Sequence, residues 1–257
     1  MVRSSSRRGV KASTVKPRQA KGERPKTTPR KEPSQTRRAR RDRGADTRTQ
    51  LIEAALDVFG RLGYEGASTR EIAKASGANL AAIVYHFGGK EGLHVAVAEH
   101  IATSIAKKIG PTLASVAGPD STATPAAART ALQKLIGTFI EVILGSAEAE
   151  RWARYIVREQ MQPTAAFDVI YRFLGGAAGT ATRLVAAALQ TEVSEETQIR
   201  AFTMMGQVLV FRVAQAVILR QTEWKAIGDN QRATIKRVVL GQIDHILDAE
   251  RKPGEKS

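Results

Sequence analysis

The sequence predicts an all-α fold in which a small three-helix N-terminal domain precedes a larger helical C-terminal domain. Apolar residues recur at helical spacing from Thr47 to about residue 249, and glycine and proline breakers separate the helical stretches. No stretch alternates apolar and polar residues between turn signals, as a half-buried strand would. The length of 257 residues is enough for two such domains without disulfides or a structural metal.

Residues 1–44 differ in composition from the rest of the chain. They hold 16 Lys and Arg against 3 acidic residues, a net charge of +13, so the remaining residues carry only +2 of the formal +15. With four prolines and few large apolar side chains, this segment cannot offset its ordering entropy, and we predict a disordered basic tail. Two interpretations stay open: an arm that contacts DNA phosphates, and a solvated extension or a start codon placed too far upstream.

Residues 45–93 begin with the pattern of two successive helices. The buried face of the first helix is a stripe at i, i+3, i+4 and i+7: Ile52, Ala55, Leu56 and Phe59. Thr47 with Gln50 predicts a capping box at its start. Ser68 with Glu71 predicts another capping box, which opens a second helix of about two turns.

A third short helix completes the N-terminal domain. The turn at residues 77–79 separates it from the second helix, and it ends at Phe87, before two glycines. Ile83 and Phe87 share one face at i, i+4. Two short helices joined by a tight turn behind a longer first helix form a helix-turn-helix, whose second helix enters the major groove of DNA.

The residues of this region are more specific than the pattern of helices. The sequence includes, in this order, Ala54-Ala55, Phe59, Gly63-Tyr64, Ser68-Thr69-Arg70-Glu71-Ile72-Ala73, Gly77, Tyr85-His86-Phe87 and Lys90-Glu91. From Thr47 to Leu93 the chain therefore resembles the N-terminal domain of the TetR family of bacterial transcriptional regulators. The resemblance implies that residues 45–93 bind double-stranded operator DNA.

The same resemblance implies roles for individual residues. Phosphate contacts are expected at Thr69, Tyr85, His86 and Lys90. Base contacts by the recognition helix are expected at Asn79, Leu80, Ala82 and Val84. Arg70 could reach a base edge or a phosphate, and Arg48, near the start of the first helix, is a further expected DNA contact. Many family members have Tyr where this chain has Val84, so the apolar side chains favour thymine methyl contacts and DNA shape over hydrogen bonds.

The C-terminal domain, residues 94–257, has the pattern of long helices between breakers. We predict helices near residues 90–109, 125–145, 148–161, 164–190, 195–221 and 231–249. Residues 158–163, Gly175-Gly176, residues 204–207 and Arg212 resemble the C-terminal domain of the CecR (YbiH-like) branch of TetR regulators. This resemblance implies a domain that senses a small-molecule effector and forms a homodimer.

Most aromatic residues of the C-terminal domain lie between residues 125 and 190. An effector pocket needs apolar walls with a few polar groups, and the candidates for it are Phe139, Tyr155, Arg158 and Tyr171. Two plainer interpretations remain: the aromatic stripe is ordinary core, and Arg158 forms a structural ion pair with Glu159. The effector itself cannot be identified from the sequence.

Other chemistries have no support in the sequence. The chain has no cysteine, which excludes disulfides, thiolate zinc sites and cysteine nucleophiles. The four histidines show no metal-ligand spacing, so we expect no metal and no cofactor. The glycine-rich stretches 88–90 and 175–179 follow no strand, which favours helix breaks over phosphate loops. No arrangement of Ser, His and acid suggests catalysis, and we predict that the chain is not an enzyme.

The apolar segments of the sequence are short. None of them reaches the roughly 18 residues of a membrane span. The best candidate, residues 208–219, contains Arg212 and Gln215. The N-terminus lacks the apolar segment of a secretory signal. We therefore expect a cytoplasmic protein with no membrane partner.

These observations predict a ligand-responsive repressor that binds palindromic operator DNA as a homodimer and leaves it when a small molecule binds. The dimer is expected through the helices near 195–221 and 231–249. The last helix carries a stripe at i, i+4, i+7 and i+11 for this contact: Ile235, Val239, Gln242 and Ile246. The alternatives are a basic architectural DNA-binding protein, supported by the tail alone, and a helical enzyme.

Overall fold

The computed structural model describes residues 35–250, and side chains from residue 44 to residue 249. Two units divide the chain, residues 1–40 and residues 41–257, and all the helix packing described below lies within the second. The described residues contain helices and no strand, which confirms the predicted all-α fold. The helices are α1 (Gln35–Gly66), α2 (Thr69–Ser76), α3 (Leu80–Phe87), α4 (Lys90–Val116), a 3-10 turn (Pro119–Thr122), α5 (Pro125–Leu144), α6 (Ala147–Met161), α7 (Ala165–Leu189), α8 (Glu195–Val213), α9 (Gln215–Gln221) and α10 (Asp229–Glu250).

One apolar core connects the N-terminal and C-terminal domains. It begins with the fully buried Leu51 of α1 and continues to Leu247 of α10. Helix α7 lies at its centre, where it packs against α4, α5 and α8. Helix α4 joins the two domains directly, because it packs against α3 at one end and against α5 and α7 along its length. No flexible linker therefore separates the domains within the described residues.

Helix α1 begins earlier than the sequence predicts. The disordered tail is a wrong prediction for residues 35–44, which are helical. This stretch contains five arginines, which are good helix formers, and lacks proline, so it extends a packed helix without a new nucleation cost. Thr47 consequently lies inside the helix and does not cap it. Residues 1–34 of the predicted tail lie outside the described residues.

Helix α4 continues through Pro111, where the sequence predicts its end. Proline removes one backbone donor and its ring clashes with the preceding turn, which disfavours a helix interior. Ile109 and Val116 are buried on either side of Pro111. The hydroxyls of Thr112 and Thr138 also lie 3.0 Å apart and connect α4 to α5. Tertiary packing on both sides of the proline offsets its local cost.

The predicted helix at 195–221 is two helices, α8 and α9, bent by 75° at Ala214. Beside the bend, the Arg212 guanidinium donates to the carbonyl of Ile143 and to Oε1 of Gln215. Two polar side chains therefore turn inward within an otherwise apolar segment. Among the described residues no single helix is long and apolar enough to cross a membrane, and the bent pairs α5–α6 and α8–α9 reach that length only when taken together.

The stripe predicted for the dimer contact on α10 belongs largely to the core of the subunit. Ile235 and Val239 are buried together with Ile243 and Leu247, and this face of α10 packs mainly on α5. Gln242 is exposed. The prediction chose the wrong face, because a four-residue stripe has the same spacing whether it faces the subunit core or a partner. The exposed apolar side chains of this region lie mostly on α8 and α9: Ile199, Phe202, Leu209, Val210, Val213, Val217 and, on α10, Val238.

Candidate nucleic-acid interface

Side-chain caps and left-handed glycines set the lengths of α2 and α3. Ser68 Oγ accepts a hydrogen bond from the Glu71 backbone N–H at 3.1 Å, as the predicted capping box requires at this end. Asn79 Oδ1 accepts from the Ala81 N–H at 3.0 Å and starts α3 in the same way. Gly77, with a φ of 69°, ends α2. The two short helices and the tight turn predicted from the sequence are thus present.

Helix α3 buries one side and leaves an apolar face in solvent. Ile83 is buried at 1%, whereas Leu80, Val84 and Tyr85 are 41%, 63% and 84% exposed. Ala82, predicted to face bases, packs partly against the core, and Ala81 occupies the exposed face in its place. An exposed apolar stripe on a helix this short is costly unless another molecule covers it.

Three residues predicted to contact DNA lie around one open cavity at the end of α3. Its volume is about 670 Å³, and Arg48, His86 and Lys90 line it. The Arg48 guanidinium lies 5.2 Å from the centre of the Phe87 ring. Lys90 stacks its ammonium over the Tyr64 ring at 4.5 Å and reaches the Glu65 carbonyl at 3.5 Å. Lys90 therefore also fixes the end of α1 to the start of α4.

The other predicted contacts lie on α2, on α3 or at the start of α3. Thr69 is the first residue of α2 and is half-buried, and Arg70 beside it is exposed. The Tyr85 ring contacts the His86 ring edge-to-face at 4.9 Å. The side-chain oxygen of Asn79 accepts a hydrogen bond in the cap of α3, which leaves the amide group of this side chain as the donor for the predicted base contact.

The N-terminal domain is held to α6 by two facing stripes, each at i, i+4 and i+7. One stripe lies on α1 (Glu53, Asp57 and Gly60), and the other on α6 (Arg151, Tyr155 and Arg158). Arg151 binds Glu53 Oε2 at 2.7 Å and Asp57 Oδ1 at 2.6 Å. Burial alone would lower the pKa of Arg151, but its bonds to these two carboxylates raise it overall. The matching spacing was visible in the sequence, yet the sequence alone does not show that α1 and α6 are neighbours.

Gly60 and Arg158 bring α1 and α6 into backbone contact. A Cβ at Gly60 would lie 3.6 Å from Arg154 Cβ and 3.8 Å from the Tyr155 nitrogen. Arg158 donates from Nε to the Gly60 carbonyl at 2.9 Å and from Nη2 to the Arg61 carbonyl. Arg158 therefore covers the end of α1, next to the kink at Gly63, where φ is 75°.

A buried polar cluster that the sequence analysis did not identify lies behind this contact. His94 Nε2 is 3.4 Å from Glu159 Oε1, and Thr164 donates to Glu159 Oε2 from both its backbone and its hydroxyl. The hydroxyl of Tyr155 donates to the His94 carbonyl at 2.8 Å. Burial, with a smaller contribution from the charge of Lys90, lowers the pKa of His94 to about 4. Burial raises the pKa of Glu159.

The four predicted effector contacts lie in different surroundings. Tyr155 and Arg158 hold α6 to α1 and α4 through the bonds just described. Phe139 is buried in the core, at 8% exposure. Tyr171 is 62% exposed and stacks on Phe167 at 6.0 Å between ring centres. Arg158 also lines an open cavity of about 840 Å³.

Comparison with known proteins gives this arrangement a family. Residues 51–97 match the model of the bacterial regulatory proteins of the tetR family, and residues 128–250 match that of the C-terminal domain of the HTH-type transcriptional dual regulator CecR. The chain is 32% identical over 211 residues to the HTH-type transcriptional dual regulator CecR of Shigella flexneri, covering 80% of this chain and 93% of that protein. The chain belongs to the TetR family, in its CecR branch. It is a transcriptional regulator and not an enzyme.

Solved structures show the same fold at low sequence identity. AibR, solved in complex with isovaleryl coenzyme A and operator DNA, is 16% identical with a TM-score of 0.58, over 76% of this chain and 97% of that chain. FadR from Bacillus subtilis, in complex with stearoyl-CoA, is 15% identical with a TM-score of 0.54, over 76% and 96%. Both neighbours place a helix-turn-helix beside a helical domain, as this TetR-family chain does.

Proposed function

We propose that the protein is a homodimeric repressor that binds a palindromic operator through α3 and is released by a small-molecule effector. The observation that carries the proposal is the exposed apolar face of α3, with Arg48 and Lys90 lining the cavity at the end of that helix. Cations position a protein on phosphates, and side chains on the recognition helix select bases. Membership of a family of transcriptional regulators supports this assignment.

The dimer contact that supports this proposal is the exposed apolar patch of α8 and α9. Phe202 is 62% exposed, Val213 is 67% exposed and Val217 is 64% exposed. A patch of this kind on a subunit is a typical site of association, and a two-fold contact would present two copies of α3 to one duplex. Half-sites would then lie about 34 Å apart, or a multiple of that distance.

The effector response is supported by the rigid junction between the domains. Arg151 and Arg158 bind the end of α1 to α6, so a movement of α6 would displace the N-terminal domain and alter the half-site separation. Relatives of this fold bind acyl coenzyme A thioesters, according to the structures of AibR and FadR. Effector and operator would then oppose each other by a coupling of about 1–3 kcal/mol.

The test is selection of binding sites from a pool of random duplexes by the purified full-length protein, followed by anisotropy titration of the enriched sequence. We expect an inverted repeat, bound by two subunits, with scrambled duplex bound at least about 1,000-fold more weakly. Val193→Asp, which changes an exposed apolar residue outside α3, should leave this binding unchanged. Sequence-independent coating of DNA would instead identify a basic architectural protein.

A further inference from the structure

The described residues leave an open cavity of about 840 Å³ where three parts of the chain meet. The end of α1 forms one side, α6 forms the floor, and the bend between α8 and α9 forms the other side. Because α1 belongs to the N-terminal domain, a molecule in this cavity touches both domains. The cavity also adjoins the apolar patch of α8 and α9, with Val213 at the edge of both.

Positive charge dominates the lining of this cavity. Four arginines and one glutamate are among the described residues that line it: Arg61, Arg154, Arg158, Arg212 and Glu150. Glu150 binds Arg154 at 2.6 Å and lies 3.9 Å from Arg212. One carboxylate is thus shared between two guanidinium groups.

Arg212 is the least hydrated of these cations. Its side chain is 8% exposed, and its donors reach the Ile143 carbonyl and Gln215. Burial lowers the pKa of Arg212, Glu150 opposes that change, and the charge of Arg154 adds to it. A buried cation with a shared and distant counter-ion gains from a second anion, because charge–charge attraction is strong where water is excluded.

Apolar side chains form the rest of the lining. Val157 and Met161 of α6 face the cavity from one side, and Ala216 and Leu219 face it from the other. Met161 is 79% exposed, and its flexible thioether adapts to ligands of different shape. Apolar walls with a few convergent charged groups are typical of a small-molecule site.

We propose that this cavity is the effector site and that the effector is an amphipathic anion. Its carboxylate or phosphate binds Arg154 and Arg212, and its apolar body lies against Val157, Met161 and Leu219. The inference rests on the proposed function, since it gives the effector of that function a site and a chemical class.

The same cavity provides a route from ligand to DNA through Arg158. That guanidinium lies in the cavity wall and donates to the Gly60 and Arg61 carbonyls of α1. An anion attracts the Arg158 guanidinium more strongly than a neutral carbonyl does, because charge–charge attraction adds to the hydrogen bond. A bound anion therefore competes with α1 for Arg158 and loosens the N-terminal domain from α6.

The test is isothermal titration of the full-length protein with four compounds. Octanoate and octyl phosphate carry the same tail with different anionic groups, so they distinguish a carboxylate ligand from a phosphate ligand. Octan-1-ol supplies the tail without charge, and inorganic phosphate supplies the charge without a tail. We expect octanoate or octyl phosphate to bind at least about tenfold more tightly than either partial probe, since octan-1-ol lacks the contacts to the arginines and inorganic phosphate lacks the apolar contacts.

Two variants change the charge of the cavity in opposite directions. Arg154→Gln removes a cation and should weaken anion binding about fivefold or more, whereas Glu150→Gln removes the competing carboxylate and should tighten it. Arg200→Gln is the matched control, because Arg200 pairs with Glu196 at the same i, i+4 spacing and the same 2.6 Å but does not line the cavity. Circular dichroism and thermal unfolding confirm that each variant is folded.

Operator affinity, measured separately, distinguishes failure of the site from failure of the proposed function. Absence of binding by both amphipathic anions, or equal affinity in the two charge variants, would overturn the effector site while operator binding stands. Binding with the expected charge dependence but unchanged operator affinity at saturation would support the site and contradict release by an effector. If anion binding lowers operator affinity, and the variants rank in the same order for operator release as for anion binding, both the effector site and the proposed function are supported.

Discussion

His94→Gln should remove a loss of stability that the wild-type protein shows in mild acid. His94 is 2% exposed, and its ring packs between those of Phe59, Tyr64 and Tyr155 at centroid distances of 4.4, 4.9 and 5.0 Å. Its pKa falls from the ordinary 6.5 to about 4 because burial disfavours the imidazolium, with the charge of Lys90 adding to the effect. Glutamine keeps hydrogen-bonding groups at this position and does not titrate.

The sign and size of the effect follow from proton linkage. Below about pH 6.5 the unfolded chain binds a proton at His94 that the folded protein rejects until about pH 4, so stability falls as the pH falls between these values. The full difference is about 3 kcal/mol, at about 1.36 kcal/mol per pK unit, and about 1 kcal/mol of it appears between pH 7 and pH 5.5. Glu159 has a raised pKa and acts in the opposite direction, but it is present in both proteins.

The assay is urea unfolding followed by circular dichroism at pH 7.0, 6.2 and 5.5 for wild type and His94→Gln. The wild type should lose about 1 kcal/mol more than the variant over this range. A parallel pH dependence in the two proteins would show that His94 keeps its ordinary pKa in the folded state, which would refute its placement in a water-excluded cluster.

Four further predictions concern the junction, the DNA contacts, the dimer and the tail. Tyr155→Phe should cost about 1 kcal/mol in urea unfolding, because the buried hydroxyl bonds the His94 carbonyl; no loss would contradict that bond. Lys90→Ala should weaken binding to all duplexes by the same factor. Arg70→Ala should also reduce discrimination at one base step by about 1–3 kcal/mol, as measured on operator point variants. Equal losses of affinity on every point variant would show that Arg70 reads no base. Phe202→Glu should halve the mass in sedimentation at micromolar concentration, and an unchanged dimer would exclude the α8–α9 patch. Deletion of residues 1–34 should reduce the slope of log K for DNA binding against log salt concentration by about 3–4, if four phosphates are engaged. An unchanged slope would leave the tail a solvated extension.

The N-terminal domain was predictable because its local signals agree with its packing. Ser68, Gly77 and Asn79 fix the ends of α2 and α3 by short-range hydrogen bonds and backbone geometry, which sequence spacing reveals directly. The position of Ala82 was less predictable. A helix of eight residues shows about two turns of pattern, so the assignment of its exposed face can shift by one residue.

The C-terminal domain shows where local signals lose to tertiary packing. Pro111 is a breaker by itself, but buried residues on both sides of it hold α4 together. The bend at Ala214 lies beside a contact between Arg212 and the distant Ile143 carbonyl, which no local pattern contains. Ile235 belongs to an apolar stripe on α10 whose spacing is equally compatible with a subunit core and with a dimer contact.

The candidate effector site illustrates the same limit. The sequence places Arg158 near aromatic residues, and the structure uses it to hold α1. Arg154 and Arg212 lie 58 positions apart in the chain and face one cavity only because α6 packs beside the α8–α9 bend. A site assembled from distant helices has no spacing that a single sequence can display.

Replacing thymine by uracil in the selected operator tests most directly whether the apolar face of α3 reads DNA. Uracil lacks the 5-methyl group and keeps every hydrogen bond of thymine. Burying one methyl is worth about 0.8 kcal/mol, so the wild type should lose about fourfold in affinity at each thymine that Leu80 or Val84 contacts. The Val84→Ala variant should lose the preference for thymine over uracil at one base position of each half-site only. Unchanged affinity with uracil at every thymine of both half-sites would contradict base reading by the apolar face of α3.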